Sequence, residues 1–478
     1  MIHEVFAWPW LEALSRREQR HVTLADVPAE AWDALALPGA DAVWLMGVWR
    51  RSERGRAIAL EEQSFREATA AALPDATDED VVGSAYCVRD YEVDERLGGD
   101  AGLAAAREAL AARGLGLVLD WVPNHVAPDH PWVVTQPDYF VHGSPADGER
   151  EPGAWLETPG GLLAHGRDPY FPPWRDVLQL NPFSPGLREA VVATLSDIAG
   201  RCDGVRCDMA MLFLDDIATR TWGDRLGPPL GDPYWVEVIR RVKAEHPGFL
   251  FLAEAYWDLE SRLFDEGIER CYDKRLTDRL AAGGAGSLRD HLRADPGWQA
   301  RLVRFLENHD EPRSAAVFAF PRLRAAAIAL LTLPGTILLY EGQTQGRRVR
   351  TPVHLGRAPD EQPDPQIEEL WSNLLLLAAH EQVRSGSWRA LEVTGWRDNQ
   401  SCGNLLAWRW DDHLVVLNYS DVRSDGLVRL DEHADGLWTF VDLLDGASYQ
   451  RVGADLDGEG LYVALEPDGA HLLRIERP

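Results

Sequence analysis

Between about residues 38 and 350 the chain repeats one pattern: a short apolar run ends in a polar or glycine-rich loop, and an amphipathic stretch with helical spacing follows. That alternation predicts parallel strands joined by crossover helices. The clearest strands read ADAVWLM (40–46), GLVLDWV (116–122), CDGVRCDMA (202–210), GFLFLAEA (248–255), LVRFLEN (302–308) and TILLYEG (336–342). Each carries its polar residues at the C-terminal end.

Two stretches leave the pattern. Residues 126–180 are rich in Pro, Gly, His and aromatics and show no helical period, which predicts an excursion from the sheet. After about residue 385 the chain turns to short alternating segments such as LLAWRW, HLVVLNYS, LWTFVDLL, GLYVAL and HLLRIE, separated by Asp, Gly and Ser turns. The expected class is therefore α/β. A (β/α)8 TIM barrel over 1–125 and 181–385 carries an inserted loop-rich domain at 126–180, and an antiparallel β-sandwich follows at 386–478. A chain of 478 residues is long enough for several such units.

The formal net charge of −29 argues against nucleic acid and anionic membrane as partners and favours neutral or cationic ligands. Lysine is confined to Lys243 and Lys274, so arginine supplies nearly all the positive charge. Cys87, Cys202, Cys207, Cys271 and Cys402 lack the paired spacing of a zinc or redox site and read as reduced thiols. The first twenty residues have no basic segment followed by an unbroken apolar one. No run reaches the ~18 apolar residues of a spanning helix. The expected location is cytoplasmic, with no membrane partner.

In a barrel of this kind, reactive groups gather where the C-terminal strand ends converge on one mouth. Asp208, Glu254 and Asp310 all fall at such ends, in GVRCDMA, FLFLAEA and FLENHDEPR. Cleavage of a glycosidic bond needs two carboxyl groups flanking the anomeric carbon, about 5–5.5 Å apart for retention and about 6.5–9.5 Å for inversion. Arg206, two residues before Asp208 on a strand, points to the same side and is expected to hold Asp208 ionised. The apolar setting of Glu254 is expected to raise its pKa.

DWVPNH (120–125), GVRCDMA (204–210), the Glu254 strand and ENHD (307–310) resemble, in order and spacing, the four diagnostic segments of the α-amylase superfamily, glycoside hydrolase family 13. GSAYCVRDY (83–91) is similar to the family's loop with a sugar-stacking tyrosine. The resemblance implies Asp208 as nucleophile, Glu254 as general acid/base and Asp310 as the carboxylate that binds sugar hydroxyls and stabilises the transition state. It also implies His125 and His309 as hydrogen-bonding groups and Tyr86 as an aromatic platform in the subsite before the scissile bond. Taken singly, each of these residues reads as a helix cap, an ion pair or packing. Their coincidence in four ordered segments outweighs that reading.

The sequence also departs from the family. The Lys-His pair common after the nucleophile segment is replaced by MAMLFLDD (209–216). Asn124 matches the first calcium ligand, but QLNPF (179–183) lacks the usual Asp before Leu-Asn, so no cofactor is expected to be required and calcium is doubtful. Met209, Met211, Leu212 and Phe213 either line a leaving-group subsite or pack between strand and helix, with packing favoured. Trp155, Tyr170, Phe171 and Trp174 either stack on sugars or form the inserted domain's own core. Arg347, Arg348 and Arg350, after the predicted eighth strand, either pair with surface acids, which is favoured, or form an anion site at the mouth.

The expected partner is a carbohydrate, and the expected activity is retaining hydrolysis of α-glucosidic bonds in malto-oligosaccharides or small α-glucosides. A transglycosylase or glycoside phosphorylase using the same acids is the alternative. A non-catalytic sugar-binding barrel is a third reading, of another class, ranked low because such proteins usually lose the acids.

Overall fold

The computed structural model describes residues 1–430 and 436–477. The predicted C-terminal unit, 386–478, thus includes residues 431–435 and 478, which lie outside the described residues.

Eight parallel strands close into a barrel: β1 (Ile2–Phe6), β2 (Ala42–Met46), β3 (Gly116–Trp121), β4 (Gly204–Cys207), β5 (Leu250–Ala253), β6 (Arg270–Tyr272), β7 (Leu302–Arg304) and β8 (Thr336–Tyr340). Helices cover the outside. The one over Pro185–Arg201 shows how the sequence sets them: Ser184 caps its first turn by accepting from the Leu187 N–H, Pro185 opens it, and Leu187, Val191, Leu195 and Ile198 form a buried stripe. Strand alternation then sorts the barrel's side chains. Val205 and Cys207 of β4 face the helices, while Ile2, Trp44, Val118, Leu252, Tyr272, Val303 and Leu338 fill the interior.

Two strands escape the apolar-run pattern. β1 carries His3 and Glu4, so it reads as polar, and β6 spans only three residues, too few for a periodic signal. β7 is also shorter than the predicted run to residue 308. It stops at Arg304, and Asp310 stands on the following loop. There the Asn308 side-chain oxygen accepts from the backbone N–H groups of Asp310 and Glu311, at 2.9 and 3.0 Å, a local turn that competes with the strand.

The inserted segment is a small antiparallel sheet with the strand order 125–126, 174–179, 161–166, 155–158. Short helices at Trp132–Thr135 and Pro145–Arg150 accompany it, too brief for a sequence period. The C-terminal region contains a six-stranded and a three-stranded sheet enclosing Leu405, Leu414, Val428, Phe440 and Leu473. Its other face merges with the barrel helices: Trp408, Val415 and Leu417 share a core with Leu330 and Trp371. Trp410 donates to the Thr332 carbonyl and Tyr419 to the Leu280 carbonyl, both at 2.7 Å. Among the described residues, no helix is long and apolar enough to cross a membrane.

Candidate active site

Arg206 stands at the centre of the barrel mouth with no exposed surface. Its register partners are Asp120 on β3 and Leu252 on β5, so it points into the interior one layer below the rim. Its Nη1 donates to Asp208 Oδ1 at 2.6 Å, and its Nη2 lies 2.9 Å from Glu254 Oε2 and 3.9 Å from Asp310 Oδ2. One guanidinium therefore touches all three acids, where the sequence reading gave it to Asp208 alone. Only the Asp208 contact has the alignment of a hydrogen bond; Nη2 makes none. Behind the guanidinium lie the rings of Tyr86 and Trp44, at 5.1 and 5.4 Å.

The three carboxyls differ because their surroundings do. Burial pushes Glu254 up to about 7 against the pull of Arg206. Burial also raises Asp208 above the ordinary carboxylate range, while the charge and hydrogen bond of Arg206 pull it back towards the ionised form. Asp310 goes the other way. Burial favours its neutral form, but the His309 imidazolium and Arg206 hold it at about 2.

His309 explains that. Burial disfavours its charge, but Asp310, 2.9 Å from Nε2, and buried Glu4 at Nδ1 raise it to about 10. Its Nε2 also lies 2.7 Å from the Tyr86 hydroxyl, and that hydroxyl donates to Asp120 at 3.5 Å. His125 is the opposite case: burial lowers it to about 4, so it is neutral.

On the other side of the site, Glu254 is held from two directions. Met209 N–H donates to Oε2 at 2.7 Å and the Tyr256 hydroxyl to Oε1 at 2.8 Å. Met209 reaches this position in a left-handed backbone, φ 45°, a strain of ~1–3 kcal/mol for a non-glycine residue. A cavity of about 350 Å³ opens over these groups, lined by Tyr86, His125, Trp174, Asp176, Asp208, Met209, Glu254, Tyr256 and Asp310. Burial lifts Asp176 to about 6.

No protein-family model matches the chain. Alpha-amylase MalA of Haloarcula japonica is 30% identical over 273 residues, covering 55% of this chain and 37% of that protein. Alpha-amylase 3 of Dictyoglomus thermophilum is 24% identical over 270 residues, 52% of this chain and 50% of that protein. The matches thus span half or less of these relatives' lengths. Among solved structures, the noncanonic maltogenic alpha-amylase AmyB of Thermotoga neapolitana superposes with a TM-score of 0.69 at 17% identity, over 99% of this chain and 97% of that one. In part of its sequence and in its fold the chain is similar to members of the α-amylase superfamily.

Within the superfamily frame, the remaining predicted residues divide. Trp174 and Met209 line the cavity. Trp155 packs with Val141, Ala164 and Phe183, while Met211, Leu212 and Phe213 are buried in the barrel's outer core. Tyr170 and Phe171 are exposed, and Tyr170 meets Trp257 edge to face. Of the arginines, Arg348 lies 3.6 Å from Asp364 and donates to the Ala315 carbonyl, and its backbone N–H donates to Glu361. Burial raises the Glu341 carboxyl, and the charge of nearby Arg347 opposes that rise. Arg350 donates to the Asp310 carbonyl at 2.9 Å.

The calcium that a superfamily member implies does not fit the residues at Asn124. Asn124 and Gln179 form a reciprocal amide pair: Gln179 Nε2 donates to Asn124 Oδ1 at 2.8 Å, and Asn124 Nδ2 donates to Gln179 Oε1 at 3.2 Å. Both amide oxygens are spent on N–H donors, whereas a hard cation needs free, preferably charged, oxygens. Among the described residues no group of three or more His, Cys, Asp or Glu is placed to hold a metal ion.

Sequence reasoning missed Glu4, Asp120, Asp176 and Tyr256. Asp120 interrupts an otherwise apolar barrel strand, and that charge was the available signal; Glu4 stands next to His3 in a strand that reads as polar, which hid it. Nothing in the sequence marks Asp176 or Tyr256, whose place depends on how loops fold over the mouth.

Proposed function

We propose that the chain hydrolyses α-glucosidic bonds with retention, through a covalent glycosyl-enzyme. The observation that carries the reading is Arg206 beside Asp208, Glu254 and Asp310 at once, which gathers the two carboxyls that a double displacement needs, and a third, around one buried cation. The similarity to alpha-amylases puts α-glucans, in the form of malto-oligosaccharides or small α-glucosides, first among substrates.

In the first step Asp208, ionised and held by Arg206, attacks the anomeric carbon while Glu254 protonates the departing oxygen. The proton fits Oε1, whose partner, the Tyr256 hydroxyl, can accept as well as donate, whereas Oε2 faces the Met209 N–H, which can only donate. Glu254 then deprotonates the water that cleaves the glycosyl ester. Asp310, kept ionised by His309, accepts hydrogen bonds from ring hydroxyls as charge develops. Tyr86 supplies a flat apolar surface beneath the sugar.

The test is proton NMR of maltotriose hydrolysis. The α-anomer should appear before mutarotation, and the Asp208→Ala chain should lose turnover by ~10⁴-fold or more while keeping its fold. Initial release of the β-anomer, or near-normal turnover by the variant, would overturn the proposal.

A further inference from the structure

Eighteen of the chain's nineteen tryptophans are buried or half-buried, and one, Trp396, is 50% exposed. It stands beside Tyr462, one of two exposed tyrosines, with ring centroids 6.3 Å apart and planes 33° from parallel. Aromatic pairs that fill a core usually meet edge to face or in close offset stacks. These two rings are tilted to one another, and each is about half exposed to solvent.

The scaffold beneath them is the three-stranded C-terminal sheet. Trp396 follows the strand Val393–Thr394, and Tyr462 sits on Leu461–Leu465, where Leu461, Val463 and Leu465 are buried and Tyr462 faces the other way. Asp425, on the strand between, ties both parts together. Its Oδ2 accepts from the Tyr462 hydroxyl at 3.1 Å, and its Oδ1 accepts from Asn399 Nδ2, also at 3.1 Å. Asn399 in turn accepts from the Ser401 N–H at 2.8 Å, which fixes the loop that carries Trp396. The rings are thus held in place rather than left to collapse onto the surface. Arg397 and Asp398 are exposed on the same loop.

We propose that Trp396 and Tyr462 form a second carbohydrate-binding site, which holds two neighbouring units of an α-glucan chain. The inference rests on the proposed action on α-glucans, but none of these residues lines the cavity at Asp208. A pyranose presents a C–H face that packs on an aromatic ring and hydroxyls around its edge that need polar partners. Here two exposed rings stand 6.3 Å apart, with Asp425 bonded to one and Arg397 next to the other in the chain. Planes tilted by 33° suit a curved α-linked chain better than a flat ribbon. The net charge of −29 disfavours a polyanion. Two side chains also provide far less than the ~800 Å² per partner of a stable protein interface, which disfavours a second copy of the chain.

The test uses the full chain carrying Asp208→Asn, so that glucan is not consumed, in native gels with and without soluble starch. Starch should retard this protein; adding Trp396→Ala should reduce the retardation at least several-fold, and Trp396→Phe should restore part of it. In the Asp208 chain, Trp396→Ala should raise KM for soluble starch several-fold and leave kcat/KM for an aryl α-maltoside unchanged. Retardation unaffected by Trp396→Ala, or absent from the outset, would overturn the site. A Trp396→Ala chain that changes from dimer to monomer in sedimentation would show a protein interface instead. Loss of hydrolysis on every α-glucan together with Trp396-dependent retardation would sink the catalytic proposal and leave this site standing.

Discussion

Glu254 and Asp208 share one arginine, yet the proposed chemistry needs one protonated and the other ionised. Burial pushes Glu254 to about 7, and an aimed hydrogen bond from Arg206 goes to Asp208 alone. Turnover should therefore fall as pH rises through about 7, where Glu254 loses its proton, and Glu254→Gln should remove that alkaline limb along with most of the rate; a limb that persists in the variant would assign it elsewhere. The same shift has a stability consequence. A carboxyl near 4.3 when unfolded and about 7 when folded binds more protons in the folded chain, so its stabilisation is complete below ~4.3 and is lost as pH rises through 7. Glu254→Gln should accordingly gain in Tm relative to the parent at pH 8 compared with pH 5, read by circular dichroism at the two pH values. Sequence placed Glu254 and Asp208 at strand ends because strand periodicity marks where a chain emerges. It did not reveal the Tyr256 and Met209 contacts to Glu254, which depend on loop backbone angles no periodicity encodes.

Elements bring these residues together. β4 supplies Arg206 and, one step beyond its end, Asp208; β5 supplies Glu254 just past Ala253; β1 contributes Glu4 from the far end of the sequence to hold His309. The inserted sheet is fastened to the barrel through its strand at 174–179, whose last residue, Gln179, pairs with Asn124. Replacing Gln179 with Ala leaves Asn124 buried without its partner and should cost ~1–3 kcal/mol, measured by chemical denaturation. Because both amide oxygens of that pair are already taken by N–H donors, a chelator should leave the Tm of the parent chain unchanged; a fall of several degrees, reversed by calcium, would contradict this. The paired glutamine was visible in the sequence only as a departure from the family pattern. Its partner became visible when the strand at 174–179 folded back beside His125.

For the whole molecule, the C-terminal sheets are part of the barrel's support. Trp408, Trp410 and Tyr419 pack into the core of the helices Phe320–Thr332 and Pro365–His380, and Arg322 lies 4.2 Å from the Tyr419 ring. A chain ending at residue 385 would expose that apolar face, and we expect it to be insoluble or to melt well below the full chain in a thermal shift assay; a truncated chain with unchanged Tm would show the two parts to be independent. The sequence by itself determined the repeating strand and helix units, the inserted segment, the C-terminal β-region and the acids at Asp208, Glu254 and Asp310. These follow from local periodicity and from residues near the strand ends. Only the tertiary structure decided the rest: that Arg206 stands beside three acids, that Asp310 and Glu4 flank His309, that Gln179 pairs with Asn124, and that Trp396 stands uncovered beside Tyr462. Each joins residues far apart in the chain, and the distance between them exists only once the barrel has closed.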